Sequence, residues 1–432
     1  MLITRKGCFA VEQQLNHYSI TILGSKGGVA KSILSILNHS VKDKNDPIHH
    51  VITKSKLFLI DIDQNKIDYY NSLLPNLIDK ITLLQFDLSD TARFTEHLQS
   101  TNTKLVIDVS WADTIEMLEC CNKLGVHYIN SALENTAVDL DESLYGFPLT
   151  ERYYRFEDKK ETLNNTRAII GSGMNPGVVQ WMAIKLLEEN SGDIPLACYI
   201  IEHDSSFYKD KNLILPKTIY STWSVECFLD EAILSYPMFV QHHLPLYLYD
   251  DVYATEFKVK LGEKEFYGCL MPHEEVLTLG ELYDFEIGFI YRVNEYTTEL
   301  IRKNLGNVDD LWNWKQKLID PSDGEVDGED LVGVLLVYND KEIYMYNSMK
   351  SSDIYPKYKT SATYFQVACG IYAGTASLIL DNIPLGVYYV DELLINKQSN
   401  YGKYLNYYMR DFNYGENNST DGLLHQRMKR IE

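Results

Sequence analysis

Apolar and polar positions alternate in two rhythms along the first third of the chain. YSITILG (18–24) is a β-branched run closed by a glycine, and VAKSILSILNHSV after it spaces its apolar residues like a helix. The polar loop KDKNDPIHH then leads to a second apolar run, KLFLIDID, which ends in Asp61 and Asp63. After a further helix-like piece, ITLLQFDLSD repeats the strand pattern, EHLQS leads to KLVIDVS (104–110), and ADTIEMLECCNKLG reads as a helix feeding VHYINSALE. KLVIDVS is continuously apolar at its centre, the mark of a strand covered on both faces. Strands alternating with helices through residue 134 predict a parallel, doubly wound α/β sheet built from right-handed crossovers.

The first strand runs into GSKGGVAKS (24–32), which two chemistries can claim. It fits a Lys-Gly-Gly-x-x-Lys-Ser phosphate loop, in which Lys31 and Ser32 would hold phosphate and magnesium and Asp108 would supply the acid on a neighbouring strand. It also fits a relaxed dinucleotide turn over Gly24, Gly27, Gly28, Val29 and Ala30, with Asp61 at the end of the second strand to take the ribose hydroxyls. Asp61 stands 31 residues past Ala30, beyond the usual ~20 of that fingerprint, and the polar loop at 43–50 absorbs the excess. Both readings cradle phosphate on backbone N–H groups at a helix N-terminus. Asp108, Ser110 and Ser131 lie at the ends of successive strands, where ligands gather in open sheets, and are candidate contacts on the nicotinamide side.

Composition narrows the class. With 432 residues and 45% hydrophobic content the chain can bury a large core in two domains. Its 61 acidic and 40 basic residues, a formal charge of −21, disfavour nucleic acid and anionic membranes and favour cations. The seven scattered cysteines, without a Cys-x-x-Cys, indicate neither a zinc ribbon nor a disulfide framework, and the N-terminal stretch lacks an apolar signal core. A reduced cytoplasm is the expected compartment. TSATYFQVACGIYAGTASLIL (360–380) is uncharged and long enough for a bilayer, but Gln366 with its serines and threonines reads as a buried helix. The adjacent pairs His49-His50 and His242-His243 cannot make an i, i+4 zinc helix, so no metal is expected, and GSGMN lacks a nucleophile elbow.

The middle and end of the chain decide between the two readings. AIIGSGMNPGVVQWMAIKLL (168–187) is a strand, a Gly-rich turn with Asn175-Pro176-Gly177, and a helix start. IEHDSS, TWSVECFLDEA, YGCLMPHEE, EDLVGVLL, YMYNS, SATYFQVACGIYAG and PLGVYYVDEL follow in order. In that order and approximate spacing they resemble the bacterial homospermidine synthases, of the saccharopine-dehydrogenase-like oxidoreductases, over most of residues 20–395. The resemblance implies a tightly held NAD that oxidises one putrescine, loss of ammonia from the imine, condensation with a second putrescine, and return of the hydride.

It also implies roles. Trp223 would face the substrate and attract an ammonium through its ring; the plain alternative is a core tryptophan. Glu231, eight residues on, matches the carboxylate that anchors the distal ammonium. Glu202 corresponds to an acid facing the reacting amine, with Asp204 as its rival. Asp330 stands before Gly-Val-Leu-Leu as in the family, with Glu329 as the alternative. His273 lies where the family shows Thr-His-x-Glu and would shuttle imine protons. Asn175 would meet the cofactor or the amine, unless it simply caps the helix. Ser221 in place of the family's Asn, and a poorly matching Tyr- and Asn-rich tail, leave the diamine open. Wider relatives that join amino acids need a basic patch, whereas acids surround Trp223.

The expected architecture is a Rossmann-type dinucleotide domain over 1–150, rejoined at 360–395, an α+β substrate and dimerisation domain over 151–359, and a tail over 396–432. A homodimer follows from the resemblance. A magnesium-dependent nucleotide-switch ATPase and a catalytically silent NAD-binding scaffold are the other classes.

Overall fold

The run SITIL forms the strand Ser19–Leu23, buried along its whole length at the middle of a seven-stranded sheet. The computed structural model describes residues 18–431; the N-terminal stretch, with Cys8, and the last residue lie outside them. All seven strands are parallel, in the order Gly386–Tyr389, Arg167–Ile170, His127–Asn130, Thr103–Asp108, Ser19–Leu23, Lys56–Asp61, Ile81–Gln85. The chain builds outward on one side of Ser19–Leu23 and then crosses to Thr103–Asp108 on the other. That reversal creates a crevice at the carboxyl ends of these two strands, the place where doubly wound sheets take ligands.

Local chemistry fixes the helices between the strands. The helix Thr114–Leu124 starts on Asp113, whose carboxylate accepts the N–H groups of Ile115 and Glu116, and stops at Gly125, which adopts a left-handed conformation. The helix Thr91–Ser100 starts on Asp90 in the same way. Ala362–Leu380 is long and apolar enough to span a bilayer, yet 78% of its most apolar window is buried within the fold. Gln366, Thr375 and Ser377 are buried along it.

The chain divides into two units, one of residues 18–136, 156–173 and 368–408, the other of 137–155, 174–367 and 409–431. The first holds the parallel sheet. The second is built on a ten-stranded mixed sheet whose main path runs Asn413–Asn417, Glu342–Met349, Asp330–Val337, Ala197–Asp204, Glu286–Arg292, Lys264–Met271, Thr255–Leu261, Met428–Arg430. Only Ala197–Asp204 and Glu286–Arg292 pair in parallel; their other neighbours are antiparallel. Alternation along these strands sorts the side chains onto two faces. Ile201, Leu331, Leu335, Leu270 and Ile290 enter one apolar cluster. Glu202, Asp204, Asp330 and Tyr291, in alternate or register-paired positions, point the other way.

The segment after residue 408 is stapled to this sheet by an ion pair with no exposed surface, Arg427 to Glu342. Arg427 also donates to the carbonyls of Gly422 at 2.6 Å and Lys258 at 3.1 Å, while Asn417 and the Asp421 N–H complete the shell of Glu342. Removing Arg427 leaves the charge of Glu342 buried without its counter-ion. Arg427→Ala therefore lowers the unfolding free energy by about 3–5 kcal/mol, read as a fall in the denaturant midpoint.

Candidate active site

In the first unit the glycine turn packs against the neighbouring strand end. Gly24 has φ +69°, and a Cβ there would lie 2.6 Å from the Val109 carbonyl, so both its conformation and its contact exclude a side chain. Gly27 precedes the helix Gly28–Ser40, whose N-terminus has no side-chain cap and no acidic residue in its first turn. Its N–H groups are thus left for an anion. Val29 is half-buried and Ala30 fully buried. Asp61, partly exposed, accepts the Lys26 N–H at 2.9 Å and the Asp63 N–H at 3.1 Å, one on each oxygen. A dinucleotide fits this arrangement of small residues, open N–H groups and an acid at the second strand's end.

The same geometry gives no support to the phosphate-loop reading. Ser32 is wholly buried in the helix, so its hydroxyl is not presented to a metal. Asp108 has structural partners of its own. Its buried carboxylate accepts the Ser110 N–H at 3.0 Å, the Ser110 hydroxyl at 2.6 Å and the Tyr128 hydroxyl at 2.8 Å, which ties it into the strand end. Ser110 shares that turn and also receives the Ala112 N–H at 3.2 Å; Ser131 sits half-buried just past His127–Asn130. Pattern alone missed Gln64, whose amide donates to the Ser25 hydroxyl and the Leu59 carbonyl, both at 3.0 Å, and so holds the turn in place. It also missed Asn130, which accepts the Gly171 N–H at 2.9 Å.

The second unit gathers every residue assigned to the amine. Glu202 is buried and accepts the Asn175 amide at 2.5 Å, while its Oε1 has no hydrogen-bond partner. Asn175 therefore does not cap the next helix, whose N-cap is Gly177. Asp204, the rival of Glu202, accepts the Ser206 N–H on one oxygen and the Thr222 hydroxyl on the other. Asp330 is fully buried with neither oxygen hydrogen-bonded, whereas Glu329 turns outward to Lys264. Ser224 caps the helix Val225–Ile233 and thereby carries Glu231 into the same region.

Glu231 lies 3.8 Å from Nε2 of His273, whose Nδ1 is hydrogen-bonded to Glu275. Glu275 has no exposed surface and was not singled out from the sequence. Trp223 is half-buried, with its indole N–H donating to the Tyr291 hydroxyl at 3.1 Å and its ring edge-on to Phe228 at 6.1 Å. Tyr291 faces Glu202 across the strand pair, a relation of register that no local motif announces. Among the described residues no group of three or more His, Cys, Asp or Glu could hold a metal ion.

Loss of water governs these acids. Burial pushes Glu202 up to about 8, against the pull of the Asn175 amide. Burial likewise pushes Glu231 up to about 8, with His273 opposing. Burial alone would lower His273, but Glu275 and Glu231 outweigh it and push the imidazole up to about 10. The firm pair is His273 with Glu275, joined by a direct hydrogen bond, with Glu231 farther off. The site is a cluster of buried acids whose charged forms are disfavoured by loss of water.

No family model matches the sequence, and comparison with curated proteins finds no match. Among solved structures, the homospermidine synthase of Legionella pneumophila in complex with NAD is similar at a TM-score of 0.70 and 19% identity, over 94% of this chain and 92% of that one. Apo saccharopine dehydrogenase (L-Glu forming) from Saccharomyces cerevisiae is similar at a TM-score of 0.58 and 10% identity, over 92% of this chain and 100% of that one. This chain shares the fold of both enzymes. The resemblance read from the ordered motifs is borne out at that level, as is the Rossmann-type sheet with a second α+β unit.

Raised acids have a consequence for the ligand-free protein. Glu202 and Glu231 rise from 4.5 to about 8, so their favourable contribution is complete below 4.5 and is lost as pH climbs through about 8. The thermal midpoint of wild type therefore falls over this window relative to a Glu202→Gln/Glu231→Gln variant. Differential scanning calorimetry across the window checks the difference, and parallel curves would refute it.

Proposed function

We propose that the chain is an NAD-dependent amine-joining enzyme of the homospermidine synthase kind, acting on putrescine or a similar diamine. The observation that carries this reading is the set of buried carboxylate oxygens without donors in the second unit: Glu202 Oε1, Glu231 Oε2, Glu275 Oε1 and both oxygens of Asp330. Neutral substrates leave such oxygens bare and anionic ones repel them. Ammonium groups satisfy them.

The Gly24–Ala30 turn and Asp61 hold NAD in the first unit. NAD supplies a hydride acceptor and, after exchange of the amines, the hydride donor. Trp223 offers its indole face to an alkyl ammonium, an attraction worth about 0.5–2 kcal/mol, and Tyr291 fixes the ring through the indole N–H. Glu231, backed by the His273–Glu275 pair, takes the distal ammonium. Glu202, oriented by Asn175, and Asp330 face the reacting nitrogen. His273 moves imine protons, its basicity set by Glu275. An acid-joining dehydrogenase would need cations here to receive carboxylates, and among the described residues the ion pairs of Glu231 and Glu275 are with His273 alone.

Purified protein should carry a nicotinamide dinucleotide by mass spectrometry, and incubation with putrescine should release ammonia and a longer triamine. Neither cofactor nor product from any diamine would end the reading. Trp223→Ala should weaken putrescine about 2- to 30-fold, with Trp223→Phe between it and wild type. Diamine binding converts Glu202 and Glu231 to carboxylates, so affinity should rise with pH up to about 8, by at most about tenfold per pH unit for each proton released. Calorimetric titrations in buffers of different ionisation enthalpy count those protons.

A further inference from the structure

Asp204 and Asp330 are register partners where Ala197–Asp204 pairs with Asp330–Val337. Their side chains therefore leave the same face of the sheet, with Cβ atoms about 4.5–5.5 Å apart. Both are 0% exposed. Two charges so placed would repel in a region without water to screen them.

Their surroundings break the symmetry. Asp204 accepts the Ser206 N–H at 2.9 Å and the Thr222 hydroxyl, and Thr222 accepts the Thr363 hydroxyl at 2.9 Å. Burial holds Asp204 above its ordinary range too, but these donors oppose the rise and favour its charge, an opposition that is weaker at Asp330. Neither oxygen of Asp330 meets a donor at hydrogen-bonding geometry, and the hydroxyl that bears on it, Thr363, is turned to Thr222. The groups that bear on it are the acids Asp204 and Glu202 from the next strand, its chain neighbour Glu329, already paired with Lys264, and the Thr363 hydroxyl. Burial first, then Asp204 and Glu202, hold Asp330 well above the usual carboxylate range. A carboxyl in such a place takes up a proton rather than stay bare.

We propose that Asp204 and Asp330 hold one proton between them, that it rests on Asp330, and that Asp204 is the positioning anion that keeps it there. This rests on the amine-joining reading for its use. When one amine replaces another at an imine carbon, the incoming ammonium must lose a proton before its lone pair forms the new C–N bond. The departing nitrogen must gain a proton as the old C–N bond breaks and its electron pair leaves with ammonia. Asp330 first gives its proton to the imine nitrogen and, once a carboxylate, takes one from the incoming ammonium; after the new C–N bond forms, the surplus proton on the new nitrogen passes through the same carboxyl to the old one, which leaves as ammonia. The proton count closes on Asp330 at this step, while His273 serves the other end of the site. Thr363 bears on Asp330 and donates to Thr222, which in turn donates to Asp204, so each acid senses the other's charge through the two threonines.

Infrared difference spectra of the ligand-free protein test the pair without turnover or cofactor, through the C=O stretch of a protonated carboxyl. Wild type minus Asp330→Asn at neutral pH should contain that band. Asp204→Asn, which removes the charge and keeps the shape, should move the titration of the Asp330 band down by about one pH unit or more. Circular dichroism checks folding, and Asp204→Ser carries the same expectation if the amide variant does not fold. A difference spectrum without the band, or an Asp330 titration indifferent to Asp204, would overturn the proposal. The band in a protein that makes no amine product would refute the amine-joining reading and keep the shared proton; product without the band would do the reverse.

Discussion

Carboxyl groups removed from water at the ends of sheet strands are the constraint from which the second unit's chemistry follows. Glu202, Asp204 and Asp330 are brought together by strand register, and Glu231 and Glu275 by helices that start nearby. Each would be a comfortable anion in solvent. Inside, without enough donors, they compete for protons, and among them Asp204 is the one with a hydrogen-bond donor on each oxygen. The result is a place that gains most from a ligand bringing both positive charge and N–H donors, which is the description of an ammonium ion.

The first unit solves a different problem with backbone alone. Its turn presents N–H groups and little else, because Gly24 must be left-handed and must lie against the Val109 carbonyl. Side chains then hold the turn rather than line it: Gln64 grips Ser25, and Asp61 takes the Lys26 N–H. Asp108, at the end of the adjacent strand, is spent on Ser110 and Tyr128, so the strand end is stiffened by the acid that sequence reasoning had offered to a ligand.

Local pattern made much of this legible. The β-branched and apolar runs SITIL, KLFLID and TKLVID carry their burial in their composition and became the central strands. Asn175, Trp223, Glu231 and His273 were found because short stretches in a fixed order carried them. What stayed hidden is whatever depends on register between distant segments. Tyr291 sits in an ordinary strand sequence, and only its pairing with Glu202 and its contact with Trp223 distinguish it. Glu275 reads as a helix-start acid until burial shows it beneath His273. The Tyr- and Asn-rich tail lacks apolar alternation, so its strands Asn413–Asn417 and Met428–Arg430 are held by partners, Arg427 and Glu342 among them, that pattern does not pair.

A site of this kind sets binding against stability. Keeping Glu202, Glu231 and Asp330 buried costs the empty fold, and the cost grows as pH rises and their neutral forms become harder to keep. The apolar cluster on the opposite face of the same strands, from Ile201 through Leu331 to Ile290, is what holds those strands in register despite the strain. The two faces therefore cannot be considered separately. Cavities introduced at Ile201 or Leu331 would loosen the spacing of Glu202, Asp204 and Asp330, because alternate residues on one strand share one backbone. The acids, in turn, can stay short of donors only while that apolar face keeps water out and the strands fixed.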